Sequence, residues 1–166
     1  RSGWGNGLVD LDNDGWKDLF TANAHVNDEI ERFEKSAYRL PDSVFRNQGD
    51  GTFADASAEG GLDASPPRAH RGAAFADFDG DGRVDVVVTA LGAPAELWHN
   101  ETIAPGHWLD VRLVGTKSNR DGIGAVVKIA AKADSRWHEQ FNAMTTAVGY
   151  ASSSAGPVHF GTGRAT

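Results

Sequence analysis

Asp10-Leu-Asp-Asn-Asp-Gly-Trp-Lys-Asp18 returns 67 residues later as Asp77-Phe-Asp-Gly-Asp-Gly-Arg-Val-Asp85. Each copy sets carboxylates at positions 1, 3, 5 and 9 and a glycine at position 6. Hard cations such as calcium take six to eight oxygens, and alternating aspartates on a tight turn supply them. The glycine permits the sharp backbone turn that brings those positions onto one ion. The pattern predicts two calcium sites, one held by Asp10, Asp12, Asp14 and Asp18 with the Trp16 carbonyl. The other is held by Asp77, Asp79, Asp81 and Asp85 with the Arg83 carbonyl, leaving the side chain at position 7 free to vary. Asp-Gly turns also form for purely local reasons, but two copies in register favour the ion.

The flanks decide the kind of loop. An EF-hand needs a glutamate at position 12 and helices on both sides. Position 12 is Thr21 in one copy and Val88 in the other. Asp85 runs into Val86-Val-Val-Thr-Ala90, a β-branched run that reads as a buried strand, and Asp18 runs into Leu19-Phe-Thr-Ala22. Leu8-Val9 and Phe75-Ala76 read as strand before the loops. The sites are therefore strand–loop–strand.

The repeat extends outward from the loops. Gly5 falls on Gly72, Leu8 on Phe75, Leu11 on Phe78, Gly15 on Gly82 and Leu19-Phe20 on Val86-Val87. Asn47 and Asn100 close the two units but lie 53 residues apart, so the first unit carries a 14-residue insertion between about Ala24 and Ser43. Within it, Asp28-Glu-Ile-Glu31 reads as a capping-box start, with Ile30 and Phe33 at helical spacing, and predicts a short helix. Gln48-Gly-Asp-Gly-Thr52 reads as a hairpin turn. Each unit is then about four short strands, the pattern of propeller blades that cannot bury both faces alone.

Composition agrees. The 166 residues include 20 glycines, no cysteine and a formal net charge of −7. The glycines and short apolar runs point to an all-β chain. The acidic balance argues against nucleic acid, no segment approaches the ~20 apolar residues of a membrane span, and cysteine chemistry is excluded. The start at Arg1-Ser-Gly, without a methionine or a signal peptide, leads us to expect an internal piece of a longer protein. Two blades cannot close a ring, so further blades are expected before Arg1.

From about His107 the pattern changes. His107 to Val114 alternates like a half-buried strand, Asn119 to Gly124 is a turn cluster, and Ala125–Ala131, Trp137–Met144 and Pro157–Gly161 read as further strands. We divide the chain into 1–104, two blades with calcium loops, and 105–166, a separate and truncated β-rich module, at the Ala104-Pro-Gly106 break.

Gly3-Trp-Gly5, the two aspartate loops, Phe45-Arg-Asn-Gln-Gly-Asp-Gly-Thr-Phe53 and Arg71-Gly-Ala-Ala74 resemble FG-GAP (VCBS-type) repeats, the calcium-binding blades also seen in integrin α-subunit propellers. Asn119-Arg-Asp-Gly-Ile-Gly-Ala125, Gly149-Tyr150 and His159-Phe-Gly161 resemble the ASPIC/UnbV module that follows such repeats. Thr162 stands where that module usually has leucine, and Thr166 looks like a truncation. The resemblance implies a secreted, periplasmic or cell-surface protein with structural calcium and no catalysis.

Other functions are weaker readings. The six histidines are scattered, none lies in a G-x-S-x-G or H-E-x-x-H string, and Ser152-Ser-Ser154 reads as composition. His70-Arg71 reads as a rim-facing polar pair. Trp4, Trp16, Trp98, Trp108 and Trp137 read as core or inter-blade packing, against the alternative of a lectin-like propeller binding glycans. A non-catalytic part of a larger exported enzyme is a further alternative. Asn100-Glu-Thr102 is a glycosylation sequon, relevant only in a eukaryotic secretory setting. The expected function is calcium-dependent binding or adhesion, with a protein or glycan partner.

Overall fold

The computed structural model describes residues 2–103, 105–133 and 136–165. Within them the chain is all-β, without an α-helix. The first sheet joins β1 (Gly3–Val9), β2 (Asp18–Asn23), β3 (Ser43–Asn47) and β4 (Phe53–Asp55) as an antiparallel meander. The second joins β5 (His70–Ala76), β6 (Asp85–Ala90) and β7 (Ala93–Trp98) in the same order. The sheets do not close into a ring among the described residues.

The sequence repeat is a repeat of register. Val9 pairs with Asp18 and Gly7 with Phe20, as Ala76 pairs with Asp85 and Ala74 with Val87. Even the irregularity recurs, between Gly3 and Asn6 in one sheet and between His70 and Ala73 in the other. A one-residue slip would turn every apolar side chain to the wrong face, so shared register means shared burial. Leu19 opposite Phe45 corresponds to Val86 opposite Trp98. The units differ at the expected insertion, since β6 and β7 are joined by a tight turn at Leu91-Gly92 whereas residues 24–42 separate β2 from β3; of the four strands expected in each unit, the second shows three among the described residues.

That insertion corrects one expectation. Its helix is a single 3₁₀ turn, Ile30–Arg32, with no side-chain capping bond at its start. Ile30 is buried, but Phe33 is 71% exposed, so a longer amphipathic helix would have no second contact to bury. The insertion instead folds back on β5. Arg71 donates to the His25 carbonyl at 3.2 Å and lies over the Trp4 ring at 4.3 Å. His70 is not rim-facing: it is buried, with Nδ1 at 2.9 Å from the buried Asp42 carboxylate that precedes β3.

One core serves both sheets. Phe20 and Ala22 from β2 meet Ala73, Phe75, Val86 and Val88 from β5 and β6, with Leu62 and Val84 completing the cluster. Phe20 and Phe75 meet edge to face at 5.8 Å, a geometry that adds to their area burial. β1 and β5 approach closely because Gly5 faces the Gly72-Ala73 backbone and Gly7 faces the Phe75 ring, where a Cβ would collide. Tryptophan contributes less than expected. No tryptophan is fully buried, and Trp16, Trp108 and Trp137 are exposed.

The remaining strands are β8 (His107–Val111), β9 (Val126–Ala133), β10 (Arg136–Ala143), β11 (Ala147–Gly149), β12 (Ser152–Ser153) and β13 (Val158–Gly163). They form three two-stranded pairs, β8 with β13, β9 with β10 and β11 with β12. The first ends at Val111, short of the expected Val114. A small second core holds Met144, Val158 and Phe160. This part also contacts the first two sheets. Ser152 and Ser154 hydroxyls accept the N–H groups of Ala73 and Phe75 at 2.8 and 2.9 Å, and Tyr150 N–H donates to the Trp4 carbonyl. Of the expected break, Ala104 lies outside the described residues, while Gly106 donates to the Asp12 carbonyl at 3.0 Å.

Candidate metal loops

The connections β1–β2 and β5–β6 are the two aspartate loops, and one hydrogen-bond scheme shapes both. The first carboxylate accepts the N–H groups four and five residues on: Asp10 from Asp14 (3.1 Å) and Gly15 (2.9 Å), Asp77 from Asp81 (3.1 Å) and Gly82 (2.8 Å). Asp12 and Asp79 accept from the residue two on, each at 3.3 Å. Asp14 accepts from Trp16 at 2.7 Å, and Asp81 from Arg83 at 2.9 Å. The position-6 glycines have φ of +97° and +84°, the left-handed region that costs a Cβ-bearing residue most.

The ninth carboxylate ties each loop to its sheet. One Asp18 oxygen accepts from Leu11 at 3.0 Å and the other from Asn47 at 2.9 Å. Asp85 repeats this with Phe78 at 3.1 Å and Asn100 at 2.8 Å. Asn47 ends β3 and Asn100 follows β7 by two residues, and their side-chain amides donate to the carbonyls of Lys17 and Val84, equivalent positions in the repeat, at 3.1 Å each. Asn100 also donates to the Leu11 carbonyl at 2.7 Å, which occupies its amide within the fold.

The carboxylates converge. Ligand oxygens of Asp10, Asp12 and Asp18 lie within 4.8 Å of one another, as do those of Asp77, Asp79 and Asp81. Asp79 and Asp85 form a third such group with His99. Asp14 is exposed and falls outside the first group.

In the first loop Asp10 and Asp18 are 7% and 3% exposed. Burial pushes Asp10 up to about 7 against the pull of the Gly15 N–H, and the charges of Asp14, Asp12 and Asp18 push it the same way. Burial also pushes Asp18 up to about 6, against the N–H groups of Asn47 and Leu11. Among the described residues no ion pair reaches Asp10, Asp12, Asp14 or Asp18. Such a set fits a hard divalent cation, which would supply the missing counter-charge through oxygens of the right type.

The second loop brings its own cations. Arg83 pairs with Asp81 and donates through Nε to the Asn100 carbonyl at 2.6 Å, so its side chain has a fixed task. His99 Nε2 lies 3.0 Å from the Asp79 carboxylate. Desolvation pushes Asp79 up, but the hydrogen bonds from His99 and the Asp81 N–H outweigh it and leave it below the usual carboxylate range.

The FG-GAP-like repeat model matches residues 10–88, which span both loops, and the ASPIC and UnbV model matches residues 115–166. The chain joins an FG-GAP-like repeat to an ASPIC and UnbV segment. It is similar to cartilage acidic protein 1 of Homo sapiens (47% identical over 58 residues, 35% of this chain) and of Mus musculus (45% over 58 residues, 35% of this chain). The Xenopus tropicalis protein of that name is 41% identical over the same length, also 35% of this chain. The matched stretch spans 9% of each of these relatives.

Four contributors to the aspartate loops were not read as such from the sequence. Asn47 and Asn100 were visible as repeat closers, and their spacing carried the signal. His99, between Trp98 and Asn100, gave none. Nor did Asn13, at position 4 of the first loop, stand out. It is fully buried at φ +59°, and its amide donates to the Gly82 carbonyl of the second loop at 2.8 Å.

Proposed function

We propose that the two FG-GAP-like units are adjacent blades of a calcium-stabilised propeller in an extracellular binding or adhesion protein, the calcium being structural. The observation that carries this reading is the identity of the hydrogen-bond scheme in two loops that each gather carboxylates within 4.8 Å. A turn adopted for local reasons would need only its Asx-type bonds. It would not need the ninth aspartate drawn back to the equivalent asparagine, Asn47 or Asn100, in both copies. When bound, the ion would neutralise carboxylates that repel one another and clamp the ends of β1–β2 and β5–β6. The FG-GAP and ASPIC/UnbV matches fit an extracellular protein. No helix among the described residues is long and apolar enough to cross a membrane. We read no catalytic role, and the partner class is a protein or a glycan.

Ligand that binds only the native state stabilises it logarithmically, by about 2.7 kcal/mol at a hundredfold excess over the dissociation constant. Calcium should therefore raise the melting temperature of the protein, and chelator should lower it. Calorimetry should find two ions, and Asp12→Ala and Asp79→Ala one each. An unchanged melt in chelator sinks the structural-calcium reading. A glycan array and a calcium-dependent pull-down separate the two partner classes.

A further inference from the structure

The C-terminal strands sit directly on both aspartate loops. β13 crosses the first: Gly161 lies against the Asp10 carboxylate and the Asn13 backbone so closely that a Cβ there would collide with both. Gly163 N–H donates to the Asn13 carbonyl at 2.8 Å, and Gly106 N–H to the Asp12 carbonyl at 3.0 Å. β8 crosses the second, with the Trp108 indole filling the space over Gly82. His159 on β13 joins the two contacts. Its ring stacks on Trp108 at 6.2 Å, Nδ1 meets Asp110 at 2.8 Å and Nε2 meets Asn13 Oδ1 at 2.7 Å.

Asn13 is the centre of this arrangement. Its Nδ2 holds the second loop, its Oδ1 holds His159, and its carbonyl holds Gly163. Consecutive carbonyls at Leu11, Asp12 and Asn13 thus receive Asn100, Gly106 and Gly163. These acceptors occupy the same turn that must gather Asp10, Asp12 and Asp18. Loop geometry and docking of the last strands are therefore set by the same few dihedrals.

We propose that Asn13 is a positioning residue that couples ion loading of the first loop to docking of the β8–β13 pair. The inference rests on the calcium reading above. With the carboxylate charge neutralised, the turn stays tight and presents the Asp12 and Asn13 carbonyls to Gly106, just before β8, and to Gly163 at the end of β13. With the charge uncompensated, repulsion among three clustered carboxylates spreads the turn and misplaces them. Linkage makes the effect reciprocal: whatever calcium does for docking, docking does for calcium affinity at that loop.

Position 4 supplies the test. The second loop carries Gly80 there, so a working loop of this type tolerates glycine, and Asn13→Gly keeps the positive φ while removing only the amide. Amide hydrogen exchange on the whole protein, with calcium or with chelator, reads docking strand by strand. In the wild type, chelator should speed exchange of the Val158–Gly163 amides by roughly tenfold more than that of Asp85–Ala90, a coupling within the usual range. Asn13→Gly should still bind two calcium ions by calorimetry, yet lose most of that excess. Gly161→Ala, which pushes β13 off Asp10, should weaken calcium at one site only. Two bound ions with no calcium dependence of β13 exchange overturns the coupling and leaves the calcium reading intact. So does equal acceleration of β6 and β13. No bound calcium in the wild type overturns both.

Discussion

Asp10 and Asp18 give the metal-free protein a pH dependence of unusual sign. Both are raised in the folded state, to about 7 and about 6 from 3.8. The folded chain thus holds more protons than the unfolded chain between about pH 4 and 7, and stability falls as pH rises through that window. Melting in chelator should therefore be higher at pH 5 than at pH 8, whereas calcium should stabilise most at pH 8, where protons no longer compete. A chelated protein that melts lower at pH 5 would show that these two carboxylates are not the dominant titrating pair. In the second loop His99 and Arg83 already answer Asp79 and Asp81, so the first loop should show the larger effect. The sequence alone could not separate the loops, because the difference lies in which side chains reach back, and His99 is 20 residues from Asp79.

Strands carry a different constraint. β1 and β5 lie side by side only because Gly5 and Gly7 present no side chain to β5. A methyl at Gly5 meets backbone, which cannot move aside as a flexible side chain would. Gly5→Ala should cost about 1–3 kcal/mol and shift the denaturant midpoint, with calcium stoichiometry still at two; a neutral effect would mean that the two sheets slide apart at no cost. At this scale much was legible. The 1-3-5-9 spacing located both loops, the β-branched run located β6, and the 53-residue spacing of Asn47 and Asn100 located the insertion. Those features are local, or recur. What was not legible depends on distant partners. His70 reads as surface until Asp42, 28 residues away, is placed against it. The helix expected from Asp28 to Glu31 shortens to a single turn, with Phe33 left largely exposed. The tryptophans were only partly legible, because an aromatic side chain has one hydropathy whether it packs on a core, as Trp98 does, or covers a loop glycine, as Trp108 covers Gly82.

The whole molecule is organised by sharing. Phe20, Phe75 and Val86 make one core from two repeats, and Asn13 holds two loops and the last strand. An open cleft of about 1130 Å³ runs between the sheets, floored by Phe20, Val44, Val86 and Trp98 and bordered by Asp12 and Arg46. The repeat predicted two similar units, and register proves them so. It could not predict that the non-repeating tail would lie across them, since no sequence pattern marks the Asp12 and Asn13 carbonyls as its acceptors.

The serine hydroxyls on Ala73 and Phe75 have a consequence for solubility. β5 ends its sheet, and its outward N–H groups would otherwise form a hydrogen-bonding template open to any passing chain, the condition that seeds edge-to-edge aggregation. Residues 147–154 act as a guard rail along that edge. A chain ended before Ala147 should precipitate at concentrations the full sequence tolerates, and light scattering of the two would show it; equal solubility would mean that β5 is shielded in some other way.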